Sequence, residues 1–504
     1  MTLNSIVLIY TSNAIVAESN TDLLILLGKV EKSVQGIAHN ARGVGVLAGS
    51  SQELVDYSYN QIISYMKVLE ETHQNITNNL NEWNTCGGND AFTNENAPIW
   101  ENFDGIYIKE ANLIDAVSQF INVVTDIQGN IFLDKYNNKQ NDAKEVKFIN
   151  LNGLSQIFNY CNSSLYTFTD CIMNNSKELE SWMNILLVVG FANLVICLVI
   201  TMFFARYSII AENNLWNKIK KNASKNYEHL KKNYFDRLSE MHGQNNILFS
   251  DTKKISEIGN FKNHWKYFWR NSVYFILALA FFLVNYLYLY QNCVEYLHLR
   301  PSLLRTIINS QVLYKSLIVW TSEFSISTTP IALPIYLSGV YPFSNELSCL
   351  NNVISSLLNS EREIRNKKYS PLLSDKFSEV FYENTRNIAK IGDYGVYTAG
   401  ALLPFEAYYL DFSGLDNYLE VWFKLVKEIN ALDSEYDLLV DLADKDSQNA
   451  IMQQLRWIAI TLGIFIVCSW ILYFVFYLPF LLKEQKKLEN MTLIAKLIPN
   501  KYFK

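Results

Sequence analysis

The sequence predicts a mainly α-helical protein, with transmembrane helices and two helical extracellular segments. Uncharged, strongly apolar stretches occupy Ser181–Ala205, Asn271–Val294 and Trp457–Leu482. Each exceeds the roughly 20 residues that cross a ~30 Å hydrocarbon core at about 1.5 Å per residue. Lysines and arginines gather in the segments that a three-span count puts on one side of the bilayer. The long polar segments on the other side repeat apolar residues at steps of three and four, the spacing of one helix face.

The order along the chain follows. Residues 1–180 form a first extracellular helical domain, 181–205 a span, 206–270 a basic connector, and 271–294 a second span. Residues 295–456 form a second extracellular helical domain, 457–482 a third span, and 483–504 a cytoplasmic tail. The connector carries Lys218, Lys220, Lys221, Lys225, Lys231, Lys232, Arg237, Lys253, Lys254, Lys262 and Lys266, with Arg206 and Arg270 at its edges. Basic flanks stay cytoplasmic, and three crossings put Lys483, Lys486, Lys487, Lys496, Lys501 and Lys504 on the same side. The expected location is multi-pass, in the plasma membrane or another cell membrane. Half the residues are hydrophobic and the net charge is only -6, so the lipid bilayer is the expected partner and nucleic acid is not.

The run Met1–Ala17 holds Ile6 to Tyr10 and Ala14 to Ala17 without a basic leader. It reads either as a degenerate signal cleaved after Ala17 or as the last turns of a span whose start lies upstream. The second reading is preferred. In the first outside segment Leu113, Val117, Phe120, Ile121, Val124 and Ile127 share a helix face; in the second, Leu415, Leu419, Trp422, Val426 and Ile429 do, continuing through Tyr436 and Val440. Such stripes usually form core. Breaks are expected at Cys86-Gly-Gly, Asn96-Ala-Pro, Asn152-Gly, Thr329-Pro through Pro334, Tyr341-Pro and Phe412-Ser-Gly. The two segments also read as versions of one unit, Ile37 to Ala41 matching Ile307 to Ser310, and Asn152-Gly-Leu154 matching Ser413-Gly-Leu415.

Five cysteines, Cys86, Cys161, Cys171, Cys293 and Cys349, fall in or beside the outside segments, Cys293 at the end of the second span, and none falls in the cytoplasmic parts. In an oxidising compartment the most economical pairings are Cys161 with Cys171 and Cys293 with Cys349; free buried thiols are the alternative. Asn75, Asn162 and Asn174 head outside sequons and are candidate glycosylation sites, although Asn222 and Asn490 head others on the inside. In the connector, Trp216, Ile219, Tyr227, Leu230, Tyr234 and Leu238 alternate with lysines, a pattern for a helix lying on anionic lipid or for a solvated one.

The last twenty residues carry the most specific pattern. After the third span, Leu488, Met491 or Thr492, Ala495 and Ile498 recur at coiled-coil spacing and end at Pro499. The run Thr492, Leu493, Ile494, Leu497, Ile498, Pro499 resembles the signalling helix that enters the catalytic domain of receptor-type class III nucleotidyl cyclases, with Asn500 where such enzymes often have a second proline. What the resemblance implies is the sensor portion of a protist-type membrane cyclase, or of a similar PAS-linked multi-pass receptor, working as a homodimer. The signal-relay residues are then Leu488, Thr492, Leu493, Leu497, Ile498 and Pro499. Neither the paired metal-binding aspartates nor the Asn and Arg pair of such a cyclase stands in this chain.

Other chemistry finds no foothold. The histidines His39, His73, His229, His242, His264 and His298 have no metal-ligand spacing. Walker, dinucleotide and nucleophile-elbow motifs are absent. No cofactor, metal or catalytic residue is expected. Asn193 and Asn285, amides inside spans, are expected to act as interhelical glue. The leading expectation is a receptor portion that passes an extracellular ligand's signal through the last span to an output domain not contained in residues 1–504. The alternative is an adhesion or scaffold protein of the cell surface.

Overall fold

The computed structural model describes residues 21–47, 51–80, 97–102, 107–130, 144–225, 262–328, 346–383, 395–408 and 415–497, and these are almost entirely helical. The helices are α1 (Asp22–Leu47), α2 (Gln52–Asn78), α3 (Leu113–Asn130), α4 (Lys144–Leu151), α5 (Ile157–Lys225), α6 (Lys262–Leu283), α7 (Gln291–Thr328), α8 (Glu346–Ile364), α9 (Asp375–Tyr382), α10 (Val396–Tyr408), α11 (Leu415–Leu472) and α12 (Leu478–Leu497). One antiparallel hairpin, β1 (Ala97–Asn102) with β2 (Tyr107–Ala111), interrupts the helical pattern. Single π-helical stretches join α4 to α5, α6 to α7 and α11 to α12. The described chain falls into two compact units.

The first unit draws on Ser181–Asn292 and Gln454–Lys504. Its large apolar side chains are bare: Phe203 is 69% exposed, Ile464 58% and Val475 59%. Water penalises such surface by about 25 cal/mol per Å², and contiguous patches of it mark a contact with another apolar phase. Three helices of the structure are long and apolar enough to cross a membrane. Membrane association is the condition that satisfies their faces.

Polar contacts tie these helices together. Thr461 donates to Asn285 Oδ1 at 2.8 Å, and Asn285 Nδ2 returns to the Phe281 carbonyl at 2.9 Å. Phe281 stacks on Phe465 with centroids 4.2 Å apart. Gly190 lets Phe282 approach, since a Cβ there would stand 2.8 Å from the ring. Asn285 thus bridges two helices as expected; Asn193 meets only Cys197 one turn along its own helix. Asn285→Leu is expected to weaken this unit by about 0.6–2 kcal/mol, the range of interhelical hydrogen bonds in lipid, measured by unfolding in mixed micelles.

The second unit draws on Ser12–Glu180 and Cys293–Gln453. The two long polar segments, expected as separate extracellular domains 1–180 and 295–456, therefore contribute to one core. The reason lies in α1 and α7. Residues Val30–Gly45 of α1 are buried without interruption, and α7 is buried on nearly every side between Arg300 and Glu323. A helix enclosed all round needs neighbours on all sides, and neither segment alone supplies them.

Contacts fix the arrangement. Gly28 meets Ile308, Gln35 Nε2 donates to Ser316 at 2.6 Å, and Arg42 Nε pairs with Glu323 at 3.0 Å. These pairs advance together, so α1 and α7 run parallel. Asp444 binds Thr21 and Arg300, while Asp437 and Asp433, further toward the start of α11, bind Lys32 and Gln311. Hence α11 runs antiparallel to both. The outer part of α5 does the same: Ser176 meets His298, Asp170 meets Arg305, and Gly153, just before α5, packs on Ala38.

The centre is a four-helix bundle in which α7 and α11 repeat the roles of α1 and α5. The repeat expected from sequence paired Ile37 with Ile307, and the structure does not set these residues level; Ser413 and Gly414 of its second pair lie outside the described residues. Ile37 lies level with Ile318 rather than Ile307, about three turns away.

Around the bundle, α2 doubles back along α1, with Gly36 against the Tyr65 ring. The predicted stripe on α3 is core: Leu113, Val117, Phe120, Val124 and Ile127 are buried. So are Val426, Ile429, Tyr436 and Val440 on α11, whereas the side chains of Leu415, Leu419 and Trp422 lie outside the described residues. The helix α9 is capped by Ser374, whose hydroxyl accepts from the Phe377 amide.

Two local expectations change. Asn152-Gly is not a break but a π-helical stretch, Asn152–Gln156, inside a continuous helix. Gly153 admits Ala38, whose Cβ would stand 2.6 Å from an added methyl, and the Asn152 amide pairs with both backbone groups of Trp100 at 2.9 and 3.0 Å. The segment after Asn96 is the β-hairpin, whose first strand that amide extends. Met1–Ala17, Cys86-Gly-Gly, Thr329–Pro334, Tyr341-Pro and Phe412-Ser-Gly lie outside the described residues.

Candidate functional site: a charged seam within the bundle

Between α1, α7 and α11, with α2 alongside, the helical unit encloses three charges, Lys32, Lys315 and Asp433, and links them to Asp437, whose side chain is half-exposed. Lys32 Nζ lies 2.7 Å from Asp437 Oδ1 and 3.7 Å from Asp433 Oδ2. Lys315 Nζ lies 3.2 Å from Asp433 Oδ2 and donates to Asn430 Oδ1 at 2.7 Å and to the Tyr65 hydroxyl. Gln311 Nε2 reaches Asp433 Oδ1 at 2.7 Å and Asp437 Oδ1 at 2.8 Å. Asn430 Nδ2 in turn donates to the Tyr57 hydroxyl at 2.7 Å. Two ammonium and two carboxylate groups thus balance, joined by amides and phenols from four helices.

Why the sequence produces this seam is a matter of helical spacing. Asp433 and Asp437 stand four residues apart on α11 and share one face; Gln311 and Lys315 do the same on α7. Lys32 completes the set from α1. The side chains of Lys32 and Lys315 are only 7% and 5% exposed. Burial alone would lower the Lys32 ammonium, but Asp433 and Asp437 outweigh it and raise it. Burial likewise pushes Asp433 upward, and Lys315 and Lys32 hold it below the usual carboxylate range.

Arg42 and Glu323 form a second buried ion pair further along the bundle. Two more buried groups stay neutral at ordinary pH. Burial, helped by Lys315, holds His39 down at about 3, and burial pushes Glu31 up to about 8.

A separate polar junction lies where α7, α8, α10 and α11 meet. There Tyr314 and Tyr436 both donate to Glu361 Oε1, with Gly400 of α10 packed onto the cluster. Tyr436 is the core residue its stripe predicts, while Asp433 and Asp437 stand in a stretch rich in acids, Asp433 to Asp446, that by itself marks no site. The usable signal was the polar residues Asp433 and Asp437 set at four-residue spacing beside the apolar stripe of α11.

The residues singled out from sequence sit elsewhere. Leu488, Thr492, Leu493 and Leu497 lie on α12, while Ile498 and Pro499 lie outside the described residues. Asn75 and Asn174 are exposed on α2 and α5; Asn162 is half-buried with its Oδ1 enclosed.

The expected disulfides do not form: Cys161, Cys293 and Cys349 are buried thiols. Cys161 and Cys171 stand on one helix ten residues apart, roughly 15 Å along its axis, whereas a disulfide requires Cα atoms within about 7 Å. For the other pair, Ser302 meets Tyr369 and Asn309 meets Ser360, so α8 runs antiparallel to α7. Cys349 therefore lies beyond Asn309, itself roughly 24 Å of helix from Cys293. Cys171 is disulfide-bonded, its partner lying outside the described residues. Among those residues no group of His, Cys, Asp or Glu is placed to hold a metal ion.

No family model matches the chain, and no curated protein or solved structure is significantly similar to it.

Proposed function

We propose that the chain is the sensing and membrane portion of a transmembrane receptor, passing an extracellular signal through its last span to a cytoplasmic output. One observation carries the reading. The helix that closes the charged seam, α11, is unbroken from Leu415 to Leu472, and only a π-helical stretch, Tyr473–Tyr477, separates it from α12 and the relay residues.

The enclosed pair of Lys315 with Asp433 has few intermediate arrangements, because a half-broken ion pair in a low dielectric costs several kcal/mol. Such a seam favours discrete positions of α11 over a continuum, which is what a relay needs. A ligand shifts the balance only by preferring one position.

In this reading the helical unit faces outside and α12 lies in the cytoplasm of a homodimer. The sequons then carry glycans, and the output is a nucleotidyl cyclase or a comparable domain, as the resemblance of Thr492 to Pro499 implies. This chain supplies no catalytic step itself.

The test is made on the full chain in lipid nanodiscs, with a spin label at the exposed position Glu489. The conservative change Asp433→Asn keeps the shape of the seam and removes one charge. It is expected to shift the label-to-label distance distribution, or the label's mobility. A label that reports the same distribution with and without Asp433, while the fold is retained, removes the relay reading and leaves a surface protein without output.

A further inference from the structure

Glu361, 1% exposed on α8, has an uneven set of partners. Both tyrosine hydroxyls, from Tyr314 on α7 and Tyr436 on α11, donate to Oε1, and their rings lie 5.4 Å apart. Oε2 is buried with no hydrogen-bond partner among the described residues.

No cation among the described residues offsets the carboxylate. On α7, Lys315 follows Tyr314 but is turned into Asp433, and Ser310 is the other polar group beside Tyr436. On α11, Asp433 and Asp437 are occupied by lysines. On α10 the sole carboxylate, Glu406, is exposed. On α8 itself Arg362 is exposed, and Arg365, just after the helix, is exposed and holds Tyr397. Tyr369, after α8, bonds Ser302.

An ionised Glu361 would place half a charge on an enclosed oxygen with no donor among the described residues. The neutral acid leaves only a hydroxyl unbonded, a far smaller cost.

We infer that Glu361 is a proton-operated latch: as the neutral acid it lets α8 and α10 seat against α7 and α11, and on ionisation it releases them. This goes beyond the relay reading and stands without it. Burial pushes Glu361 up to about 7, the two tyrosine bonds pulling the other way. Its folded value thus lies above the ordinary 4.5. The seated state is therefore most favoured below about pH 4.5, and that advantage is lost as the pH rises through about 7. Gly400 keeps the latch tight, because a side chain at that position would overlap Tyr314 and Glu361.

Glu31 on α1 ionises in a neighbouring window, near 8, so the pH response of the native protein alone does not assign the proton. The deciding experiment is hydrogen–deuterium exchange of the full chain in nanodiscs at about pH 5 and about pH 9, corrected for intrinsic exchange. Protection of Glu346–Ile364 and Val396–Tyr408 is expected to fall at least tenfold at the higher pH in the native chain and to stay unchanged in Glu361→Gln. Tyr436→Phe removes a donor that favours the charged form, so the midpoint of the loss is expected to move to higher pH. This second variant decides the matter if Glu361→Gln fails to fold. An undiminished pH response in Glu361→Gln, or an unmoved midpoint in Tyr436→Phe, overturns the latch.

Discussion

Asp433→Ala is expected to destabilise the helical unit by about 3–5 kcal/mol, the cost of breaking a buried ion pair from one side. Removal of this carboxylate leaves Lys315, 5% exposed, with only the neutral Asn430 and Tyr65. Lys32 keeps Asp437 but loses its second partner. A buried ammonium without a counter-ion either drags water into the bundle or gives up its proton, and both disrupt the packing of α1 against α7 and α11.

The triple exchange Lys32→Met, Lys315→Met, Asp433→Leu is expected to restore most of that stability, because apolar groups of similar size often replace a buried ion set at no net cost. Thermal unfolding of the detergent-solubilised protein, followed by near-ultraviolet circular dichroism, measures both. A restored fold whose α12 no longer responds to changes in the seam would show that the charges serve position rather than stability.

Gly400→Ala is the second change of large expected effect, at or above about 3 kcal/mol, the upper end of overpacking in a close-packed core. The added methyl would overlap both Tyr314 Oη and Glu361 Oε1, and neither can retreat: Tyr314 is among the largest fully buried side chains, and Glu361 is 1% exposed. The helix α10 must therefore lift. Loss of exchange protection in Val396–Tyr408 at every pH is the expected signature, in contrast to the pH-dependent loss in the native chain. Gly463, in contrast, has nothing within 4 Å of an added Cβ, so Gly463→Ala is expected to leave protection unchanged and serves as the control.

Much of the fold was legible because it rests on local spacing. The apolar windows at 181–205, 271–294 and 457–482 announce helices long and apolar enough to cross a membrane, and the three- and four-residue steps on α3 and α11 mark faces that turn out to be core. The hairpin of β1 and β2 escaped, since Asn96-Ala-Pro reads as a break and short strands carry little periodic signal. Asn152-Gly was misread for a related reason. Glycine before a helix ordinarily ends structure, but here it admits Ala38 from a distant part of the chain, which no local pattern reveals.

The cysteines failed on geometry: proximity in sequence favoured Cys161 with Cys171, and a straight helix holds them too far apart. The seam was half visible. Asp433 and Asp437 could be placed on one helix face, but their partners Lys32 and Lys315 stand hundreds of residues away or in the other half of α7's own segment.

By itself, then, the sequence determined the helical character, the three helices long and apolar enough to cross a membrane and the faces of individual helices, because hydrophobic periodicity and the length of an apolar run depend only on neighbours along the chain. Tertiary structure alone decided that the two long polar segments share one bundle, that α1 and α7 lie parallel in a register near 281 residues, and that Lys32, Lys315 and Asp433 meet inside it beside the half-exposed Asp437. Those outcomes depend on which distant faces exclude water together, and the free energy of that choice belongs to the pairings and not to any one stretch of residues.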